Sequence, residues 1–306
     1  FFPIEGVTHD RARRSVETVL ELAGVTDPRA RADRLAASFD VYQSVGYDGS
    51  GTLLFTGYFS PQFTASRVRT GRYQYPLYAR PADLITDPAT GAVLGQQSSA
   101  GVSPYPTRQQ IESNQLLAGQ ELVFLPSRLD AYSIEVNGSA RLKLTDGNTM
   151  YVGYAGTNGR DYTSIGRLLV ADGTLDANTV TMPAIRNHFQ QNPRQLDDYI
   201  RQNDRFVFFR EYPGTEWPAG SLGFRVTPER SLATDKKIFP RGGVVLASTA
   251  LPGGQPFRQL MIDQDTGGAI RAPGRADIYF GIGPTAERLS GAQAAEGRLF
   301  YLFLKQ

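Results

Sequence analysis

The segment MIDQDTGGAI (residues 261–270), followed after a short gap by RADIYFG (residues 275–281), decides the fold class of this chain. Short apolar runs bounded by glycine and proline are typical of buried strands, so the segment predicts two β-strands joined by a turn. Asp265 ends the first apolar run, and Asp277 lies inside the second. The segment therefore predicts a sheet that holds two carboxylates.

The same pattern recurs outward from this segment, near the N-terminus, in the middle of the chain and in the last hundred residues. Strands are predicted at Thr52–Phe55, Phe206–Phe209, Gly243–Ala247, Gln259–Ile262, Ala276–Phe280 and Arg298–Leu304, and a further β segment from Ile134 to Tyr154 around the turn Asp146-Gly147. Helices are predicted over the first 40 residues, from a capping box at Thr107, and in three pieces that begin near Thr163, Pro183 and Asn192. Strands at both ends and a mixed middle indicate a mainly β fold with several short helices and an inserted domain.

Composition excludes several classes of function. The chain has 306 residues, enough for two packed domains or one large β-rich one, and its basic residues are dispersed with a net charge of +2, which argues against nucleic-acid binding. There is no cysteine and no G-x-S-x-G motif, and His9 and His188 have no second ligand at metal spacing. Bond-breaking chemistry therefore falls to carboxylates, and we expect no metal and no cofactor.

Asp265 and Asp277 are the candidate carboxylates. The pair Gly267-Gly268 allows close backbone approach, so Asp265 can occupy a tight, hydrogen-bonded position. Asp277 is flanked by apolar and aromatic residues, a setting suited to a general acid. The alternative is a structural role, in which Asp277 caps a turn or pairs with Arg275, and spacing alone does not decide between the two.

A set of motifs extends along nearly the whole chain, from about Phe55 to Phe303. In order, they are FTGYFSP (55–61), YPLY (75–78), VNGS (136–139), GYAGTNG (153–159), YTSIG (162–166), NDRFVFF (203–209), ATD (233–235), DTGGAI (265–270) and ADIY (276–279). Through these motifs the chain resembles the membrane-bound lytic transglycosylase A family. The three aspartates that name the C-terminal module of that family correspond to Asp235, Asp265 and Asp277.

The resemblance implies a double-psi β-barrel catalytic domain, residues 1–78 plus 207–306, and an inserted β domain, residues 79–206, with glycan bound between them. It places the single catalytic acid at Asp277, with Asp265 holding its surroundings by hydrogen bonds. Substrate contacts are implied for Thr56, Tyr58, Asn137, Ser139, Tyr154, Asn158 and Asp235. Asn137 departs from the family pattern, because a glutamine is expected before Gly138-Ser139.

The implied function is cleavage of the MurNAc–GlcNAc β-1,4 bond of peptidoglycan with formation of 1,6-anhydromuramic acid ends. Two alternatives remain, a glycoside hydrolase that uses two carboxylates and a non-enzymatic module that binds cell-wall polysaccharide. The expected partners are peptidoglycan strands and other wall enzymes, with no nucleic acid or nucleotide, and a monomer is expected. No apolar run reaches the roughly 18 residues that span a bilayer. A periplasmic location is expected, and outer-membrane anchoring of the full-length protein is left open because the chain begins at Phe1.

Overall fold

A computed structural model describes residues 5–88, 91–177 and 179–306. The chain divides into two compact units. The first comprises Phe1–Phe59, Gly220–Gly281 and Thr285–Gln306, and the second comprises Ser60–Ala219 with Ile282–Pro284.

The first unit is built mainly of strands. Its strands are β1 (Phe39–Gln43), β2 (Leu53–Ser60), β12 (Ser231–Ala233), β13 (Gly243–Ala250), β14 (Pro256–Asp265), β15 (Arg275–Ile282) and β16 (Ala294–Leu304), and its helices are α1 (His9–Ala23), α2 (Pro28–Ser38) and α8 (Pro284–Ala292). The strand order is β1-β16-β13-β14-β12-β15-β2, and β2 also pairs with β16, with Leu53 opposite Gly297. This second pairing closes six of the strands into a barrel, and β1 pairs with β16 outside it.

The barrel encloses an apolar core, because alternate side chains of each strand point inward. Phe55, Ala247, Ile278 and Phe303 are among the fully buried residues of this core. The β12–β14 pairing is parallel, whereas β12–β15 and β13–β14 are antiparallel. β12 thus lies between the strand that ends at Asp265 and the strand that contains Asp277.

The second unit combines small sheets with helices. Its strands are β3 (Gln62–Ala65), β4 (Tyr75–Tyr78), β5 (Leu84–Thr86), β6 (Val93–Ser98), β7 (Gly101–Ser103), β8 (Glu121–Leu125), β9 (Ser139–Leu144), β10 (Thr149–Thr157) and β11 (Val207–Glu211), and its helices are α3 (Arg108–Ser113), α4 (Arg128–Asn137), α5 (Ile165–Ala171), α6 (Met182–Gln191) and α7 (Leu196–Arg201), with a 3-10 turn at Pro193–Gln195. The main sheet has the order β11-β10-β9-β3. No helix within the described ranges is long and apolar enough to cross a membrane.

The β segment predicted to begin at Ile134 is wrong over its first part, because residues 128–137 form α4. The Ser127 side chain accepts from the Asp130 amide at the N-terminus of this helix, and Gly138 ends it with a φ of 73°. Ile134 is fully buried whereas Val136 is 47% exposed, although a strand would place both on one face. The later part of the segment is confirmed, since β9 and β10 flank the predicted turn.

Candidate active site

Asp277 lies at the centre of a hydrogen-bonded group in the barrel. Its Oδ1 accepts from the Thr56 hydroxyl on the neighbouring strand β2 and from Arg275 Nε at 2.9 Å, and its Oδ2 accepts from Arg275 Nη2 at 3.1 Å. Arg275 and Asp277 are two residues apart in β15, so their side chains share one face of the strand. The Asp277 side chain is 10% exposed and that of Arg275 33%. The carboxylate is therefore nearly covered, and the guanidinium lies at the surface beside it.

Asp265 occupies a different environment in the same unit. Its Oδ1 accepts from the backbone amides of Ser221 at 2.7 Å and Thr266 at 2.8 Å. A methyl group on Gly220 would lie 3.1 Å from the Asp265 carboxyl carbon, so a larger residue there would crowd this contact. Burial raises the pKa of Asp265, while the amide donors act in the opposite direction. Asp265 thus joins the loop after residue 220 to the end of β14.

Tyr58 packs in the barrel beside both aspartates. Its ring lies 5.1 Å from that of Tyr279, centroid to centroid. Burial, reinforced by the negative charge of Asp265, raises the pKa of the Tyr58 hydroxyl well above its usual range. Within the described part of the chain, no partner completes a hydrogen bond of normal geometry to this hydroxyl. The group is therefore a neutral donor close to the two carboxylates.

Asp235, the third aspartate, connects two turns. Its Oδ1 accepts from the Lys237 amide and its Oδ2 from the Ala272 amide, both at 3.0 Å. It therefore fixes the segment between Asp265 and Asp277 against the turn after β12.

A second buried polar cluster, centred on Asp263, lies in the same unit and was not predicted from the sequence. Asp263, with no exposed surface, accepts from the hydroxyls of Thr234 at 2.7 Å and Tyr301 at 2.5 Å, and from the ammonium of Lys236. Burial lowers the pKa of Lys236, and its ion pair with Asp263 opposes that shift. The Thr234 backbone carbonyl accepts from the Thr266 hydroxyl at 2.8 Å, so the cluster supports the residue that follows Asp265. The ion pair joins β14 to the residues after β12 across a parallel pairing, which no local sequence signal indicates.

The remaining predicted sugar contacts lie in the second unit. Ser139 pairs with Gly153 across β9 and β10, and its hydroxyl is 2.8 Å from that of Ser60. Tyr154 follows Gly153 and is half-buried. Asn137, at the end of α4, donates from its side chain to the Ser133 carbonyl at 2.8 Å.

Asn158 is almost fully engaged within the fold. Its side-chain nitrogen donates to the carbonyls of Pro106 and Asp204, and its oxygen accepts from the Phe206 amide at 2.8 Å. Its surface is 2% exposed. These contacts support a role in holding the turn after β10, and direct sugar binding by Asn158 stays a prediction.

The predicted site residues thus form two groups. Thr56, Tyr58, Asp235, Asp265 and Asp277 lie in the barrel unit, and Asn137, Ser139, Tyr154 and Asn158 lie in the second unit. Across the described ranges, no three histidine, aspartate or glutamate side chains come close enough together to hold a metal ion. The chemistry that the barrel group offers is proton transfer by a carboxyl group with side-chain hydrogen-bond donors.

Comparison with known proteins shows what this arrangement is similar to. The sequence model of the MltA-specific insert domain matches residues 54–210, and that of the 3D domain matches residues 230–303. A relative from Escherichia coli (strain K12), membrane-bound lytic murein transglycosylase A, is 32% identical over 275 residues, which cover 86% of this chain and 69% of the relative.

Two solved structures share the fold. A membrane-bound lytic murein transglycosylase from Agrobacterium tumefaciens superposes with a TM-score of 0.81 at 28% identity, covering 95% of this chain and 84% of the other. E. coli MltA with bound chitohexaose superposes with a TM-score of 0.77 at 26% identity, covering 97% of this chain and 87% of the other.

Proposed function

The chain belongs to the membrane-bound lytic murein transglycosylase A family, whose members are lyases that act on peptidoglycan, and we propose that it cleaves glycan strands with Asp277 as its single catalytic acid. The bond cleaved is the β-1,4 bond between N-acetylmuramic acid and N-acetylglucosamine. The product is a 1,6-anhydromuramic acid end. The observation that supports this assignment best is the position of Asp277 on a barrel strand within the 3D-domain match, as a nearly covered carboxylate beside the Thr56 hydroxyl.

In the proposed reaction one carboxyl group serves twice. Asp277 first gives its proton to the glycosidic oxygen as the bond from that oxygen to C1 of the muramyl residue breaks. The Asp277 carboxylate then takes the proton of the muramyl C6 hydroxyl as O6 forms a bond to C1. No water is consumed, and Asp277 ends in its starting protonation state. Two-carboxylate glycosidases need a second carboxylate as base or nucleophile, which this scheme does not.

Thr56 has a role in this cycle that differs from direct sugar binding. Its hydroxyl donates to Asp277 Oδ1, and a hydrogen bond to an ionised acceptor is stronger than one to a neutral acid. The contact therefore strengthens as Asp277 loses its proton. Such an interaction favours the transition state over the ground state, which is the condition for lowering the barrier.

Asp265 acts as a supporting residue in this proposal. Its Oδ1 already accepts two backbone amides, and both belong to the loops that it fixes. Those contacts favour a positioning role over that of a second acid or base. Asp235 supports the same region through the amides of Lys237 and Ala272.

The substrate contacts implied by the resemblance stay proposals for each unit by itself: Tyr58 in the barrel unit, and Asn137, Ser139, Tyr154 and Asn158 in the second unit. The chitohexaose bound to E. coli MltA supports an extended glycan as the ligand. We further propose that the six-stranded barrel has the double-psi topology and that the second unit is the inserted domain. That domain extends beyond the expected bounds 79–206, because its main sheet includes β3 and β11. The membrane-bound relatives support a location in the cell envelope, and we propose the periplasm.

The test is mass spectrometry of the soluble products after incubation with purified peptidoglycan sacculi. Muropeptides lighter by one water than hydrolytic products are expected from the unmodified protein, and none from Asp277→Asn. Asp33→Asn, at an exposed position of α2, is the matched control and should retain full turnover.

Other outcomes would replace the proposal. Products of full mass would indicate a hydrolase, with Asp265 as the second carboxylate. Tight binding to sacculi without any released product would indicate a wall-binding module. Full activity of Asp277→Asn would remove Asp277 from the catalytic role.

A further inference from the structure

Arg275 is the surface residue that covers Asp277, and we propose that it binds a carboxylate of the substrate, on the muramyl residue or on its stem peptide. In doing so it releases one oxygen of Asp277 for proton transfer. This inference rests on the proposed function, because it concerns the same site. It makes Arg275 a specificity residue that distinguishes acidic glycans from neutral ones.

The contacts of Arg275 occupy both oxygens of Asp277. Nε contacts Oδ1 at 2.9 Å and Nη2 contacts Oδ2 at 3.1 Å, in the forked arrangement that guanidinium and carboxylate favour. Nε also lies 3.1 Å from the Thr56 hydroxyl oxygen, and Nη1 donates to the Ala269 carbonyl at 3.3 Å. A carboxyl group that protonates a glycosidic oxygen must turn one oxygen toward the sugar. Oδ2 is the oxygen that can be freed most easily, because Arg275 is its only donor among the described residues.

Arg275 also retains donors for a ligand. A guanidinium carries five N–H groups. Within the described residues, three of them donate to protein atoms, through Nε, Nη1 and Nη2, which leaves two. A third of the side chain is exposed, against a tenth for Asp277. A ligand therefore meets the guanidinium before it meets the carboxylate.

The chemistry of the proposed substrate supplies a suitable partner. Muramic acid carries a lactyl carboxylate in strands without peptide, and stem peptides carry carboxylates where they are attached. Chitooligosaccharides have neither. Since arginine binds carboxylates through two parallel N–H bonds, a substrate carboxylate can replace that of Asp277 with little change in geometry. The exchange would couple recognition of an acidic glycan to exposure of the catalytic acid.

The test measures binding in the Asp277→Asn background, where turnover does not interfere. The ligands are peptide-free glycan strands, peptide-bearing strands and neutral chitooligosaccharides of matched length, and the measurement is isothermal titration calorimetry. Adding Arg275→Gln should weaken binding of the acidic strands about tenfold, the lower end for a hydrogen bond to a charged group, and that of chitooligosaccharide less than twofold. The affinity of Arg275→Lys for the acidic strands should lie between those of arginine and glutamine at this position, because lysine keeps the charge but not the forked pair of donors.

Arg258→Gln in the same background is the control for loss of positive charge. Arg258 is exposed and lies seven residues before Asp265 in β14, about 23 Å away along an extended strand. It should change none of the affinities. Thermal unfolding of each variant checks that the barrel remains folded. The loss of affinity for acidic strands caused by Arg275→Gln should be smaller at high salt, because the guanidinium is partly exposed.

The two acidic ligands distinguish the source of the carboxylate. A loss confined to peptide-free strands assigns it to the lactyl group, and a loss confined to peptide-bearing strands assigns it to the stem peptide. Equal losses for acidic and neutral glycans, or no loss for either, would overturn the proposal. If that happens while the unmodified protein still forms anhydro products, the function stands and only the role of Arg275 fails.

Discussion

Replacing Thr56 by valine removes one hydroxyl group beside Asp277 and leaves the shape of the side chain nearly unchanged. Thr56 lies in β2, and its hydroxyl donates to Asp277 Oδ1 while it accepts from Arg275 Nε at 3.1 Å. Valine is β-branched like threonine and suits a strand equally well. The substitution therefore tests the hydrogen bond with little disturbance of the barrel.

The expected loss follows from the kind of hydrogen bond. A bond to a charged group contributes about 1.5–3 kcal/mol. In the proposed reaction, the bond is strongest once Asp277 is ionised, so its loss should raise the barrier for the step in which Asp277 gives up its proton. Since about 1.4 kcal/mol corresponds to a tenfold change in rate, kcat should fall by about 10- to 150-fold. KM should change little, because in the proposed reaction this donor contributes most in the step that ionises Asp277.

The assay is the initial rate of anhydromuropeptide release from sacculi, with product identity checked by mass. Thr56→Ser should recover most of the rate, since it restores the hydroxyl. Thr249→Val is the matched control, because the Thr249 hydroxyl donates to the Glu296 carbonyl at 2.9 Å and not to a carboxylate. Full activity in Thr56→Val, or an equal loss in Thr56→Ser, would refute the reasoning.

Three further predictions concern the buried charges. Tyr301→Phe should lower the free energy of unfolding by about 1.5–3 kcal/mol in urea denaturation, because the Tyr301 hydroxyl is one of the donors to Asp263; an unchanged free energy would contradict this. Asp265→Asn should have the same free energy of unfolding as the unmodified protein below the unfolded pKa of about 4. As pH rises from there through the raised folded pKa, the variant should become relatively more stable, by at most about 1.4 kcal/mol per pH unit. A difference in free energy that is independent of pH would count against this prediction. Glu135→Gln should cost about 3 kcal/mol in the same assay, since it leaves the fully buried Arg108 without its nearest carboxylate; a cost below about 1 kcal/mol would show that Arg108 is satisfied by Glu112 and by its carbonyl contacts.

Local patterns predicted most of the strands of the barrel. β13, β14, β15 and β16 all coincide with apolar runs bounded by glycine or proline, and the structure extends each of them by a few residues. The capping box at Thr107 is confirmed in both of its hydrogen bonds. Such features depend on neighbours in sequence, which is why they are visible without a structure. Helix α4 was missed because its alternating apolar residues fit a strand as well as a helix.

Contacts between distant residues were not predictable in the same way. The ion pair of Arg275 with Asp277 is the pairing named from the sequence as the structural alternative. The structure permits it because residues two apart in a strand share a face. The Thr56 contact joins positions 221 residues apart and exists because β2 closes the barrel beside β15. The sequence motifs placed Thr56 in the site as a sugar contact, whereas the structure places it against the catalytic candidate.

The difference between Asp265 and Asp277 lies in the nature of their donors. Asp265 is held by the backbone amides of Ser221 and Thr266, which cannot leave it without rearranging two loops. Asp277 is held by the side chains of Thr56 and Arg275, which can rotate away at the cost of a few hydrogen bonds. A group that must exchange a proton with substrate needs donors that can move, and a group that fixes a loop needs donors that cannot. The two carboxylates of one barrel are thus suited to different tasks, and the one held by movable donors is the one to which a single-acid mechanism assigns the chemistry.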